Sequence, residues 1–397
     1  MPESATKHVF IIAGARTPMA EYAGRLKDVS ALELGAIAAR AALARASLAP
    51  DAVDHAVFGN VLQSSSDAVY GARHVALKAG VPVHVPALTV NRLCGSGIEA
   101  AIQGAHQIRL GEADVVLTGG MESMSQAPHV IRGLRSGLRL GQGQLEDTLW
   151  SALLDTHCGC TMAATAESCA ANYGVSREAQ DEYAARSQQL ASRAWAEGRF
   201  AEEVVAVELK SRKGTESFAA DDHLRPDTTV ESLAKLPPAF SKNGCVTAGN
   251  ASGIVDGGAA LILASDAGVR KHGLTPMARL TASATVGVEP ALMGMGPAPA
   301  TRLALERAKL TLDDIDLIEI NEAFAAQYLA VEKELGLDRE RVNVNGGAIA
   351  LGHPLGMSGT RLLLTLTLEL RRRGLKRGLA AACIGGGQGI AAIVETA

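Results

Sequence analysis

The chain has 397 residues, enough for two or three domains at roughly 150 residues each. It is 47% hydrophobic and 20% charged, an ordinary soluble profile, and no apolar run approaches the roughly 18 residues of a membrane span. A formal net charge of −4 and an aromatic content of 3% argue against a nucleic-acid partner, because they supply neither a basic surface nor stacking platforms. The one block of like charge, Arg371-Arg372-Arg373, falls late in a predicted helix, where it favours the negative end of the helix dipole. Met1 to Phe10 has no signal-peptide core, so a cytoplasmic chain with its six cysteines reduced is expected.

In chain order, Val9 to Ala13 reads as a short apolar strand. A helix from a Ser30 cap to Ala46 follows, then a strand near His55 to Gly59 and a helical stretch from Tyr70 to Ala79. Pro86 to Val90 then runs into Asn91-Arg92-Leu93-Cys94-Gly95-Ser96-Gly97, and an apolar-periodic helix (Ile98 to Leu110) runs out of it. Two glycines let the backbone turn sharply and uncover the Cys94 sulfur. Helix-start amides and the helix dipole there favour a thiolate, and the same amides can bind an oxyanion. The turn has the form of a nucleophile elbow with sulfur in place of the hydroxyl. The competing reading is a structural cysteine packed beside a glycine turn. Ala113 to Gly120 completes a set of strands alternating with helices, which predicts a parallel or mixed sheet covered on both faces.

From Met121 to about Gly244 the chain carries polar turns and amphipathic helices. The clearest is Ser176 to Gly198, and the whole stretch reads as an insertion folded over one face of the core. The core resumes at Val246 to Gly253 and the strand Ala259 to Ala264. A third section repeats the first. Asp51-Ala52-Val53-Asp54 is echoed by Asp313-Asp314-Ile315-Asp316, and Ser96-Gly97 by Ser358-Gly359, both at an offset of 262 (313 − 51 and 358 − 96). The chain is therefore expected to be a duplicated α/β half, with the insertion in or after the first copy.

Three further clusters fall at strand ends or turns of the second copy, where ligands of α/β sheets gather. They are Asn321-Glu322-Ala323-Phe324, the turn Gly346 to Pro354 containing His353, and Cys383-Ile384-Gly385-Gly386-Gly387. Duplication makes the Cys94 and His353 turns counterparts, bringing an imidazole and a second thiol within reach of Cys94 for general acid–base and nucleophilic chemistry. Taken singly, His353 is as well explained by turn structure and Cys383 by core packing. The glycines at 385–389 do not form a dinucleotide loop, since Ile390 stands where the last glycine belongs. His157, Cys158, Cys160 and Cys169 suggest zinc only weakly, because the paired C-x-x-C spacing is absent, and no metal is expected.

The four clusters together resemble the thiolase family over essentially the whole chain, in the family's order. Residues 59–68 and 145–150 lean toward mitochondrial-type 3-ketoacyl-CoA thiolases. The resemblance implies a five-layered α-β-α-β-α core in three parts. Residues 1–122, completed by 246–272, would be the N-terminal half, 123–245 a loop domain for CoA binding and oligomerisation, and 273–397 the C-terminal half. It implies Cys94 as acyl-carrying nucleophile, Cys383 as acid/base, and His353 as activator of Cys94. Asn321 would hold a water in one oxyanion site, and the amides of Cys94 and Gly385 would make the other. Arg225 and Ser232 match positions touching the CoA nucleotide, Ser252 and Met162 line the pantetheine and acyl end, and Ala323 and Phe324 complete the substrate site. Coenzyme A enters as a substrate, with no permanently bound cofactor, and the partners are acyl-CoA substrates in a homo-oligomeric dimer or tetramer. Thr161 stands where many short-chain members carry His, so the acyl pocket differs from that of the usual acetoacetyl-CoA enzymes. The implied reaction is thiolytic cleavage of 3-ketoacyl-CoA in fatty-acid β-oxidation. The alternatives are a biosynthetic acetoacetyl-CoA thiolase and a catalytically silent acyl-CoA-binding relative. A ketoacyl synthase would carry a second His at Asn321 and lack Cys383.

Overall fold

Each repeat forms half of a sheet, in the same strand order and with the same directions. The computed structural model describes residues 7–397 apart from 139 and 213. In the first half, Val9–Arg16, Val255–Ser265, Val115–Glu122, His55–Gly59 and Ala87–Val90 lie side by side. The first two contacts are antiparallel and the last two parallel. In the second, Ala278–Gly287, Gln388–Thr396, Arg377–Ile384 and Leu317–Ile320 repeat the antiparallel, antiparallel, parallel order. A parallel bridge from Ile318 to Val342 stands in for the fifth strand.

The offset read from the sequence is exact in three dimensions. Asp54 accepts from the amides of Asp114 and Val115 at 2.8 and 2.9 Å, and Asp316 from those of Lys376 and Arg377 at 2.9 and 2.7 Å. Each pair is 262 apart (316 − 54, 376 − 114, 377 − 115). Val255–Ser265 is the second strand of the first half, so the insertion lies within the first copy and not after it. The halves also meet edge to edge: Phe10 pairs with Arg279 and Ile11 with Ala278, joining them into one hydrogen-bonded sheet.

The helices account for the layers. Ala31–Arg45 and Gly71–Lys78 cover the outer face of the first half, and Pro297–Ala308 and Ala325–Leu335 that of the second. Ser96–Leu110 and Leu355–Arg373 are buried between the halves, with Ile98, Ile102, Leu362 and Leu366 in a core that also takes Leu261 and Ile390 from the sheets. The two buried helices cross where glycine faces glycine. A Cβ on Gly97 would lie 2.3 Å from the Thr360 amide nitrogen, and one on Gly359 2.4 Å from that of Ile98. No larger residue fits at either point, and the approach holds the starts of both helices together. The observed architecture is therefore the expected α-β-α-β-α arrangement, with both β layers drawn from one continuous sheet.

The insertion is fastened through buried polar groups. Its long helix Arg177–Ala196, capped by Ser176, donates from Tyr183 and Ser187 to the Glu322 carboxylate at 2.7 Å each. Arg16 reaches out of the first strand to Glu203 (2.6 Å) and Asp221 (2.7 and 2.9 Å).

Candidate active site

The Cys94 turn is held by its own motif. Leu93 adopts φ = 47°, a left-handed conformation that costs a non-glycine residue about 1–2 kcal/mol. Local hydrogen bonds offset that strain. The Leu93 amide donates to Asn91 Oδ1 (3.0 Å), while Ser96 Oγ accepts from the Arg92 amide (2.8 Å) and donates to the Leu93 carbonyl (2.7 Å). Arg92 bridges to Glu99 (2.8 Å) and to Gln388 (3.1 Å) on the hairpin that carries Cys383. A Cβ on Gly95 would lie 2.6 Å from the Ile384 side chain, so the two cysteine-bearing segments touch. The helix beginning at Ser96 runs away from the sulfur as the sequence predicts.

Cys94 is partly accessible and packs against Leu62, Met124, Leu149 and Leu355. Cys383 is fully buried beside Met293, Ala323, Met162 and Phe324. His353 is buried too, in the turn before Leu355–Arg373, with its amide on the Gly253 carbonyl at 2.9 Å. Ser358 Oγ donates to the Pro354 carbonyl (2.9 Å), so it accepts from His353 Nδ1–H at 2.5 Å. The proton therefore sits on Nδ1 and the lone pair on Nε2, which receives the Asn321 Nδ2 donor at 3.2 Å. Asn321 Oδ1 is buried without a protein partner.

The electrostatics depart from the sequence reading at Cys94. A helix start favours a thiolate, but burial outweighs it and pushes the Cys94 thiol up to about 11. The amides of Gly385 and of Cys94 itself point at the sulfur and oppose that shift, while Glu122 adds to it. Burial, then the neighbouring Cys94 and Cys169, drives Cys383 well above the ordinary thiol value. Burial and then Arg361 lower His353 to about 3. The resting site therefore holds two neutral thiols and a neutral imidazole.

A pocket of about 350 Å³ opens onto this group, walled by Met124, Leu149, Trp150, Leu153, Phe240 and Leu355. Of the residues singled out from the sequence, Met162, Ser252, Phe324 and His353 line it. Ala323 sits behind, its carbonyl accepting from the Ser252 amide at 3.0 Å, and Gly385 lies against Met162. Arg225 and Ser232 line a second pocket of about 520 Å³ with His223 and Gly249. The His223 ring lies over Gly253, within 2.5 Å of where a Cβ would be, and Gly253 lines the first pocket. The two pockets are thus neighbours along one groove. Arg225 has three backbone carbonyls (Asp222, His223, Leu224) and Glu21 around its guanidinium, so it presents a braced, half-exposed plane. The zinc quartet does not assemble: Cys158 and Cys160 lie on a hairpin, Cys169 is buried in the helix Met162–Tyr173, and among the described residues no three metal-type side chains converge.

Ser358, Glu122 and the apolar walls were not identified as site residues from sequence. Ser358 was visible only as a marker of the repeat. Glu122 ends a fully buried strand and collects the amides of Val61 (3.1 Å), Leu62 (3.0 Å) and Gly356 (2.8 Å), which no local pattern announces.

Comparison with known proteins agrees with this geometry. The family model described as Thiolase, N-terminal domain matches residues 9–267, and that described as Thiolase, C-terminal domain matches residues 274–396. The chain is 53% identical over 389 residues to the human protein named "3-ketoacyl-CoA thiolase, mitochondrial", covering 98% of each chain. It is 48% identical over 389 residues to an acetyl-CoA acetyltransferase of Cupriavidus necator, covering 98% of this chain and 99% of the other. The crystal structure of the human mitochondrial 3-ketoacyl-CoA thiolase in complex with CoA superimposes with a TM-score of 0.96 at 52% identity, over 99% of this chain and 98% of that one. The expectation of a cytoplasmic chain is overturned here, because the human relative and its mammalian counterparts are mitochondrial by name while bacterial relatives are nearly as similar. The absence of a signal-peptide core in Met1 to Phe10 fixes no compartment. With the two family models together spanning both repeats, and with His353 lining a pocket whose walls pack on Cys94 and Cys383 while Asn321 bonds to its ring, the chain belongs to the thiolase family of acyltransferases.

Proposed function

We propose that the chain cleaves 3-ketoacyl-CoA with CoA, releasing acetyl-CoA and a shortened acyl-CoA in fatty-acid β-oxidation. The observation that carries this is a lone-pair-bearing imidazole lining an apolar pocket whose walls pack on two thiols, Cys94 against Met124, Leu149 and Leu355 and Cys383 against Met162 and Phe324. His353 Nε2 takes the Cys94 proton and the thiolate attacks the C3 ketone, whose oxyanion lies against the amides of Cys94 and Gly385. The C2–C3 bond breaks. The acetyl-CoA enolate is held by His353 and a water on Asn321, whose buried Oδ1 has no protein partner, and Cys383 protonates its carbon. CoA then binds, gives its thiol proton to Cys383, and takes the acyl group from Cys94, closing a ping-pong cycle.

Arg225 and Ser232 would hold the CoA nucleotide, with Ser252, Met162, Ala323 and Phe324 guiding the pantetheine and acyl groups, and CoA acting as substrate without a resident cofactor or metal. Residues 1–122 with 246–272, 123–245 and 273–397 would serve as the two catalytic halves and the CoA-binding loop domain, in a homodimer or tetramer. The biosynthetic acetoacetyl-CoA reading keeps support from the similarity to the Cupriavidus acetyltransferase. The walls of Leu149, Trp150 and Leu153 favour acyl groups longer than acetyl. The test is CoA-dependent loss of 3-ketoacyl-CoA across increasing chain length, with Cys94→Ala alongside. Turnover that peaks above four acyl carbons and vanishes in the variant is expected. Turnover confined to acetoacetyl-CoA selects the biosynthetic reading, and CoA binding without turnover at any length sinks the enzyme.

A further inference from the structure

Cys158-Gly159-Cys160 remains unused by the proposed chemistry. It lies on a short hairpin in which Leu154 pairs with Thr161 and Asp155 with Cys160. Gly159 sits at φ = 70° with nothing within 4 Å of its would-be Cβ, so the turn has room to re-form. Both cysteines are free and partly accessible. The Cys160 sulfur faces the Cys158 carbonyl at 3.6 Å, and the two thiols lie close enough to interact. The hairpin is also part of the site. Leu153 and Thr161 line the apolar pocket, Met162 donates its amide to the Leu153 carbonyl at 2.9 Å, and Met162 packs beside Cys383.

We propose that Cys158 and Cys160 are a redox-modification site that takes small aliphatic disulfides, closing to an intrahairpin disulfide that reshapes the pocket wall. In the first step one cysteine thiolate attacks the small disulfide, forming a mixed disulfide and releasing one small thiol. The second cysteine then attacks the protein sulfur of that bond and releases the other. Two protein thiols are oxidised, one disulfide is reduced to two thiols, and both protons leave with the products. A ring closed over one intervening residue is tight, so the bond forms and reopens with the thiol–disulfide ratio instead of staying fixed. Burial first, then the Cys160 thiol and the Asp155 carboxylate, pushes the Cys158 thiol up, so exchange quickens as pH rises.

The effect on activity rests on the reading of the pocket as the acyl-CoA site, whereas formation of the bond does not. The full-length enzyme is treated with glutathione disulfide or with CoA disulfide, then digested and weighed without reduction. The peptide holding Cys158 and Cys160 is expected two hydrogens lighter. Thiolysis should fall roughly tenfold, because Met162 and Thr161 shift against the reacting groups, and return with dithiothreitol. Cys158→Ser and Cys160→Ser enzymes should keep basal turnover and lose the sensitivity. Oxidation by CoA disulfide alone would show that the groove delivers the oxidant, while oxidation by both would mean open access. An unchanged peptide mass under both reagents, or inactivation that persists in both serine variants, overturns the proposal. A lighter peptide with unchanged turnover overturns its consequence for the pocket. A lighter peptide in an enzyme that never turns over would instead refute the thiolase reading.

Discussion

Ser96 and Ser358 occupy the same position in the two halves (358 − 96 = 262) and hold different groups. Ser96 braces the strained turn before Cys94, whereas Ser358 fixes the tautomer of His353. Replacing Ser358 by Ala leaves Nδ1–H without its acceptor and frees the ring to turn. The expected outcome is a fall in kcat of about 10- to 100-fold with KM for CoA little changed, checked by steady-state kinetics. The charge state of the site gives a second test. With Cys94 pushed up to about 11 and His353 down to about 3, no group of the pair changes charge between pH 5 and 9. Alkylation of Cys94 by iodoacetamide should therefore climb about tenfold per pH unit from 7 to 10, without a plateau near the ordinary thiol value of about 8.5. A plateau there would mean that helix-start amides outweigh burial after all. That balance marks what the sequence conceals. That residues 94, 353 and 383 would lie near one another was legible because each stands in or beside a glycine-bearing turn and the repeat makes two of those turns counterparts. The direction of the Cys94 shift was not, because it depends on Leu62, Met124, Leu149 and Leu355 closing around it.

Elements were legible where a local signal marks them. Ser30 and Ser176 cap their helices as read, with Oγ accepting from Glu33 and Ala179 at 3.2 Å each. Ala278–Gly287 and Gln388–Thr396 escaped, because they are small-residue strands whose partners lie far along the chain. The duplication was readable from short echoes because the Asp54 and Asp316 side chains do the same job of pinning a strand start. The repeat has its strictest demand where the central helices cross. Gly97→Val would drive a side chain into the Thr360 backbone, and relief requires moving a helix buried along almost its whole length. Overpacking of that kind costs about 1–3 kcal/mol. Denaturant titration should show the loss. Turnover should fall further than stability, since Cys94 and His353 stand at the starts of these two helices. Gly97→Val with native stability would mean that the helices part easily.

At the scale of the whole molecule, the question is how an insertion of well over a hundred residues is kept in register with a duplicated core. Arg16 is one buried fastening between the two. Its guanidinium is wholly buried and bonded to Glu203 and Asp221, and Glu203 also accepts from Thr365 in the central helix at 2.8 Å. Asp221 in turn accepts from the Met19 amide at 2.7 Å. Burial alone would lower the Arg16 pKa, but Asp221 and Glu203 outweigh it and keep the side chain charged. A pair of this kind adds little net stability compared with apolar residues of the same shape, yet breaking it from one side strands the other charge. Arg16→Met should therefore cost about 3–5 kcal/mol, read as a lower urea midpoint, because two buried carboxylates lose their cation. The loss should also reach the groove. Asp221 leads through Asp222, whose carbonyl accepts from Arg225, to His223 and Arg225 in the wall of the second pocket, so KM for CoA should rise more than kcat falls. Adding Asp221→Leu and Glu203→Leu to Arg16→Met should recover part of the stability but not the CoA affinity, since apolar packing can replace the charges without restoring the orientation of that segment. If Arg16→Met alone leaves both the urea midpoint and KM unchanged, the insertion is held by its helix on Glu322 and not by this network.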